Sequence, residues 1–196
     1  TGLDGPGAVA VSGDRIVASG PDVTGEARQV LDFPDALLLP GFVDLHAHPG
    51  PEGWKYSIDP DVHMLPRGTT TILSQGDPGA ATWDEYREKI IDASRMRIRV
   101  AIGPSLIGES TSEPAYGNLD DLDVDACAAA VERGGEHVWG IAVNVAQGVC
   151  GGNDPRVIME KVLAMAERTG RPLLFGNRKE PADWPLAEQL ELLRPD

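Results

Sequence analysis

The fold of this chain turns on residues 38 to 48, which read Leu38-Leu39-Pro40-Gly41-Phe42-Val43-Asp44-Leu45-His46-Ala47-His48. Pro40-Gly41 punctuates the chain, and Phe42-Val43-Asp44-Leu45 then reads as a short strand. Side chains alternate along a strand, so His46 and His48, one residue apart, project the same way. Two imidazoles that converge are a metal-ligand arrangement. Neutral imidazole nitrogen binds Zn²⁺ at about 2.0–2.1 Å, and a catalytic ion keeps a position open for a water whose pKa it lowers to about 7.

Before this stretch, Ala8-Val9-Ala10-Val11 and Ile16-Val17-Ala18 flank Ser12-Gly13-Asp14-Arg15, two short apolar runs around a Gly-Asp turn, as in a β-hairpin. Gly20-Pro21-Asp22 breaks it, and Gln29–Phe33 and Ala36–Leu39 add two more extended pieces. Residues 1–39 thus read as a minor β domain. After Phe42 the rhythm changes, with short apolar runs alternating with helical patterns, the signature of βα units and a parallel sheet. The strands are expected at 42–45, 70–73, 98–102, 138–143 and 172–175. One helix begins at the N-cap Asp154 with Pro155, spaces Val157, Ile158, Lys161, Val162 and Met165 helically, and ends at Gly170. Another starts from Thr82-Trp83-Asp84-Glu85, a capping box, and runs towards Arg95. A third spans roughly Val124 to Arg133 before Gly134-Gly135.

Five such units are a part of a (β/α)8 barrel, which needs eight units and about 250 residues. An open doubly wound sheet is the alternative, but it would end on a satisfied edge. Thr1 is not Met, and Leu192-Leu193-Arg194-Pro195-Asp196 stops straight after a helical pattern. The chain is therefore expected to belong to a longer polypeptide, or to be completed by a second chain, because a half barrel exposes sheet edges.

Composition narrows the partners. Hydrophobic residues make up 41% and charged residues 24% of the 196, ordinary globular usage. The 31 acidic against 17 basic residues leave a formal charge of −14, which argues against nucleic acid and anionic membrane surfaces. Cys127 and Cys150 are the only cysteines, too few and too unpatterned for a disulfide framework, so a cytoplasmic location is expected. No apolar run approaches the roughly 18 residues of a spanning helix, and no export signal opens the sequence.

Taken with Pro40-Gly41, Asp44, His46 and His48, the text resembles the amidohydrolase superfamily, in which a Pro-Gly-x-x-Asp-x-His-x-His segment forms the first barrel strand. Arg67-Gly68-Thr69-Thr70-Thr71-Ile72, Gly76-Asp77-Pro78-Gly79-Ala80 and Trp139-Gly140-Ile141 resemble, in order and spacing, its dihydroorotase-like and N-acyl-amino-acid deacylase-like branch. The resemblance implies that 1–39 are part of a small β-sandwich domain and 40–196 the N-terminal five or so βα units of a (β/α)8 TIM barrel. It also implies a binuclear metal centre whose hydroxide attacks a cyclic amide or a related C–N bond. Two ligands of that pattern are absent. The fourth-strand Lys is replaced by Ala142 after Gly140-Ile141, and the fifth-strand His by Gly176 and Asn177 after Pro172-Leu173-Leu174-Phe175.

One divalent ion, Zn²⁺, rather than two is therefore expected, held by His46, His48 and an acidic residue that the family places on the eighth strand, beyond Asp196. A recruited ligand such as Asp77 or Asn144, or no metal, are the other options. The implied function is metal-dependent hydrolysis of a non-peptide C–N bond of cyclic amide, imide or N-acyl amino acid type, with a small-molecule substrate, the general base beyond Asp196, and a homo-oligomeric assembly. The alternative, motivated by Ala142 and Gly176, is a catalytically degenerate binding or scaffolding subunit.

Asp77 follows the second barrel strand, where it could meet substrate or merely serve an Asp-Pro turn. Asn144 and Asn177 fall at the ends of the fourth and fifth strands, positions for substrate hydrogen bonds or for capping. Asp44 is expected to support His orientation. His63 and His137 read as structural and Cys127 as core. Cys150, in Gly148-Val149-Cys150-Gly151-Gly152, lacks a base partner for nucleophilic work. That stretch lacks the Lys and spacing of a P-loop and is expected as a flexible loop over the site.

Overall fold

The computed structural model of the chain describes residues 5–193, and the chain divides into two compact units, Thr1–Leu39 and Pro40–Asp196. In the first, β1 (Ala8–Ser12) and β2 (Arg15–Gly20) pair antiparallel with a bulge between Ala10 and Val11. The extended pieces expected over 29–39 join no ladder; a turn instead brings the Ala36 N–H to the Phe33 carbonyl at 3.2 Å. An isolated run has no neighbour to take its N–H and C=O groups, so apolar alternation alone does not make it a strand.

The second unit is built on β3 (Phe42–Ala47), β4 (Thr69–Gln75), β5 (Arg97–Ile102), β6 (Val138–Asn144) and β7 (Leu173–Gly176). All four pairings are parallel and follow chain order, β3-β4-β5-β6-β7. A doubly wound sheet reverses its strand order at a switch point, whereas a barrel wall does not. This is five-eighths of a (β/α)8 barrel wall, as the apolar rhythm predicted.

Short helices connect the strands: α1 (Pro60–His63), α2 (Trp83–Tyr86), α3 (Val124–Gly134), α4 (Gln147–Cys150), α5 (Pro155–Thr169) and α6 (Leu186–Leu192). In α5 the Asp154 carboxylate accepts the Arg156 N–H at 2.9 Å, Pro155 opens the first turn, and Ile158, Met159, Val162 and Met165 are buried. In α3, Asp123 accepts the Ala126 N–H at 2.9 Å. The capping box at Thr82 does not form. Its hydroxyl oxygen accepts the Gly79 N–H at 2.9 Å, no side-chain cap reaches α2, and the helix runs into a π-turn over Arg87–Ile91. A local turn bond on the N-terminal side has taken the hydroxyl that the helix cap would need. None of the helices among the described residues is long and apolar enough to cross a membrane.

The core lies between sheet and helices, with Ile72, Ile98, Val100, Ile102 and Ile141 of the strands and Trp83, Tyr86 and Met159 of the helices almost fully buried. The loops after β4 and β5 meet backbone to backbone. A Cβ at Gly79 would overlap the Ser105 carbonyl oxygen and crowd the Gly108 nitrogen at 2.5 Å. Neither neighbour is a flexible side-chain end, so Gly79→Ala is expected to cost about 1–3 kcal/mol, read as a lower denaturation midpoint. An unchanged midpoint would show that the two loops are free to part.

Candidate functional site

The site is assembled at the carboxyl end of β3. His46 is the fifth residue of that strand, and His48 stands one residue beyond its end. Asp44 Oδ1 accepts the His46 backbone N–H at 2.9 Å, which fixes the turn of the chain before the pair. The side chain of Gln75 donates to the Leu45 carbonyl at 2.6 Å and ties the end of β4 to the same point. As strand alternation requires, the two imidazoles converge, with Nε2 atoms 3.2 Å apart and rings inclined at 63°.

What sets this pair apart from two stray histidines is the environment of the other ring nitrogen. His48 Nδ1 lies 2.9 Å from Asp77 Oδ1, and Asp77 is 1% exposed, its Oδ2 accepting the Ser74 hydroxyl at 2.6 Å. A carboxylate only accepts, so Nδ1 carries the hydrogen and the lone pair of Nε2 turns towards His46. The hydrogen bond to Asp77 raises the His48 pKa, against burial, which lowers it. Burial pushes the Asp77 carboxyl up, and the His48 hydrogen bond partly offsets it.

The donor set fits a divalent transition ion. Two nitrogens each about 2.0–2.1 Å from one ion, near the tetrahedral angle, lie about 3.3–3.4 Å apart; the observed spacing is 3.2 Å. A ligating histidine characteristically gives its second N–H to a carboxylate, which is the arrangement of His48 and Asp77. Imidazole nitrogens suit Zn²⁺ better than Mg²⁺ or Ca²⁺. Among the described residues no third His, Cys, Asp or Glu closes a three-ligand group.

Around the pair, the Tyr56 ring lies 4.6 Å from the His48 ring, and Lys55 Nζ stands 4.7 Å above Tyr56 while pairing with Glu109 at 3.2 Å. Glu109 is pinned by its backbone N–H to the Gly76 carbonyl at 2.8 Å. The sequence offered no signal for Lys55, Tyr56 or Glu109, which arrive by loop packing, or for Ser74, which β4 brings under Asp77.

The other candidates separate. Asp77 is held by His48 and Ser74 rather than open to substrate. Asn144 turns back on its own strand end, Oδ1 accepting the Ala146 N–H at 3.0 Å. Asn177, half-buried after β7, makes no side-chain hydrogen bond among the described residues. Its neighbour Arg178 is buried, bidentate to Asp183 at 2.7 and 2.9 Å, with Gln189 bridging its backbone. Gly176 packs on Asn144, whose Cγ would stand 3.0 Å from a Cβ there, so a larger side chain is crowded out. The stretch expected as a flexible loop is instead partly helical, because the Ala146 carbonyl accepts from Val149 and Cys150; α4 contains Cys150, whose thiol is pushed upward by burial. His63 closes α1, and His137 precedes β6 at the opposite end of the sheet.

No family model matches the chain. It is 31% identical over 147 residues to a deacetylase of Agrobacterium fabrum, a match covering 73% of this chain and 36% of that protein. A solved dihydroorotase superposes with a TM-score of 0.83 at 28% identity, over 95% of this chain and 50% of that one. A solved adenine deaminase shares the fold with a TM-score of 0.83 at 20% identity, again over 95% and 50%. The chain therefore spans about a third of the length of the curated relative and half of each solved chain. A deacetylase by sequence and a dihydroorotase by structure meet on one half-barrel with a His-x-His strand end, and the chain belongs to the amidohydrolase superfamily.

Proposed function

We propose that this chain forms the metal-binding half of a hydrolase of non-peptide C–N bonds, of cyclic amide, imide or N-acyl amino acid type. His46 and His48 would hold one divalent ion, Zn²⁺, through their Nε2 atoms. The observation that carries this is the 3.2 Å approach of those atoms with His48 Nδ1 engaged by buried Asp77. An ion there supplies Lewis acidity, lowering the pKa of water to about 7 and polarising a carbonyl. The chain's own residues orient and exclude. Asp77 fixes the His48 tautomer, Ser74 holds Asp77, and Tyr56 covers one face of the His48 ring. Asn177, just after β7 and without a side-chain hydrogen bond among the described residues, would be a polar group for a small-molecule substrate.

One ion is favoured over two because Ala142 and Gly176 offer no donor at the strand ends where a second ion would need them. The remaining strands, on the same polypeptide or on a second chain, would cover Phe42, Val43 and Leu45 of β3, which are 56%, 58% and 66% exposed, and would supply the general base. The full-length protein loaded with Zn²⁺ is expected to hydrolyse members of a panel of cyclic amides, imides and N-acyl amino acids, to lose that turnover to a chelator and to regain it with Zn²⁺. Turnover that survives exhaustive chelation would sink the metal-dependent reading.

Ala142 and Gly176 also favour a second reading, a barrel that has given up catalysis and serves as a binding or scaffolding subunit. It predicts no stoichiometric metal, no turnover, and partner binding indifferent to replacement of His46.

A further inference from the structure

The amino ends of three adjacent strands carry a second feature, independent of the histidine pair. Thr71 near the start of β4, Arg97 and Arg99 on β5, Arg95 just before it, and Glu136 and His137 just before β6 line one cavity of about 660 Å³. All five strands of this sheet are parallel, so these residues lie at the face opposite His46 and His48. Seven residues of β4 put the two faces roughly 20 Å apart.

The charge is unusual for this molecule. A protein of net −14 gathers three guanidinium groups here against one lining carboxylate, Glu136, which takes Arg99 at 3.2 Å. The guanidinium groups of Arg95 and Arg97 pair with no carboxylate within salt-bridge distance among the described residues; the Asp61 carboxylate takes the Arg95 backbone N–H, at 2.9 and 3.1 Å, and not its side chain. Side chains alternate along β5, so Arg97 and Arg99 project together while Ile98 and Val100 enter the core. Neighbouring guanidiniums repel, and an arrangement of this kind is relieved by an anion that accepts from several of them at once. At the same cavity, His137 Nδ1 is buried without a hydrogen-bond partner, a group that is costly to leave unmatched. The Thr71 hydroxyl adds a neutral donor.

We infer that this cavity binds an anion of phosphate type, carried by a small molecule, at the amino-terminal face of the barrel. The planar forks of Arg95 and Arg97 would grip its oxygens, with Arg99 and His137 behind them.

The test is calorimetric titration of the full-length protein with inorganic phosphate and with pyrophosphate, at ionic strength matched with chloride. Saturable binding of either is expected, with affinity falling at least about tenfold in the Arg95→Gln, Arg97→Gln double variant, as two charge-assisted contacts are lost. Both side chains are exposed, so the variant should fold. As a second measurement, phosphate should raise the thermal midpoint of the parent and not of the variant. No saturable binding to the parent, or equal binding to parent and variant, would overturn the inference.

Discussion

Full-length protein with His46→Ala will bind no stoichiometric divalent metal and turn over no substrate, while its unfolding curve superimposes on that of the metal-free parent. His46 is exposed at a strand end and, among the described residues, its side chain hydrogen-bonds only His48, so the stability change should stay within about 0.5 kcal/mol, the ordinary range of surface substitutions. His48→Ala should lose metal equally but also destabilise. It strands the Asp77 carboxylate, 1% exposed, with Ser74 as its only side-chain partner among the described residues, a loss of about 1–3 kcal/mol. Elemental analysis after desalting and chemical denaturation read the two effects apart. A His46→Ala protein that keeps one equivalent of metal would remove the pair from the site.

Asp77→Asn is the second large effect, and it acts without touching an ion. Asparagine keeps the volume and can still accept the Nδ1–H of His48, but the charge that makes His48 a stronger donor is gone, and Ser74 must share an amide instead of a carboxylate. Groups that hold a ligating histidine in this way are worth about 10–100-fold in metal affinity, so competition with a chelator should show a loss of that order. Asp77→Ala should add a folding defect of about 1–3 kcal/mol, since His48 Nδ1 and Ser74 Oγ both lose their acceptor. Parent-like affinity in Asp77→Asn would mean that the carboxylate serves packing alone.

These expectations separate what local pattern could tell from what it could not. Strand alternation is a property of successive residues, so the five strands and the convergence of His46 with His48 could be read directly. The cap and stop signals of α5, Asp154 and Gly170, are equally local. Residues 29–39 show where local pattern stops, because a strand exists only with a neighbour and no ladder among the described residues includes them. Thr82 shows the same limit in a helix, where Gly79 takes the hydroxyl that a capping box required. Asp77 sits in an Asp-Pro turn and reads as a loop residue; its role comes from His48, 29 residues away in sequence. Glu109 likewise reaches Lys55 across 54 residues. The clamp of Arg178, Asp183 and Gln189 uses residue types with no motif spacing, and it stays invisible until β7 and α6 are folded together.

In the proposed function His46 and His48 are ligands of a single metal ion. Anomalous diffraction at the zinc edge from crystals of the full-length protein grown with Zn²⁺ tests it most directly. One peak about 2.0–2.1 Å from both Nε2 atoms is the predicted result. A map with no peak between those two nitrogens, in protein that is folded and zinc-saturated in solution, would contradict it.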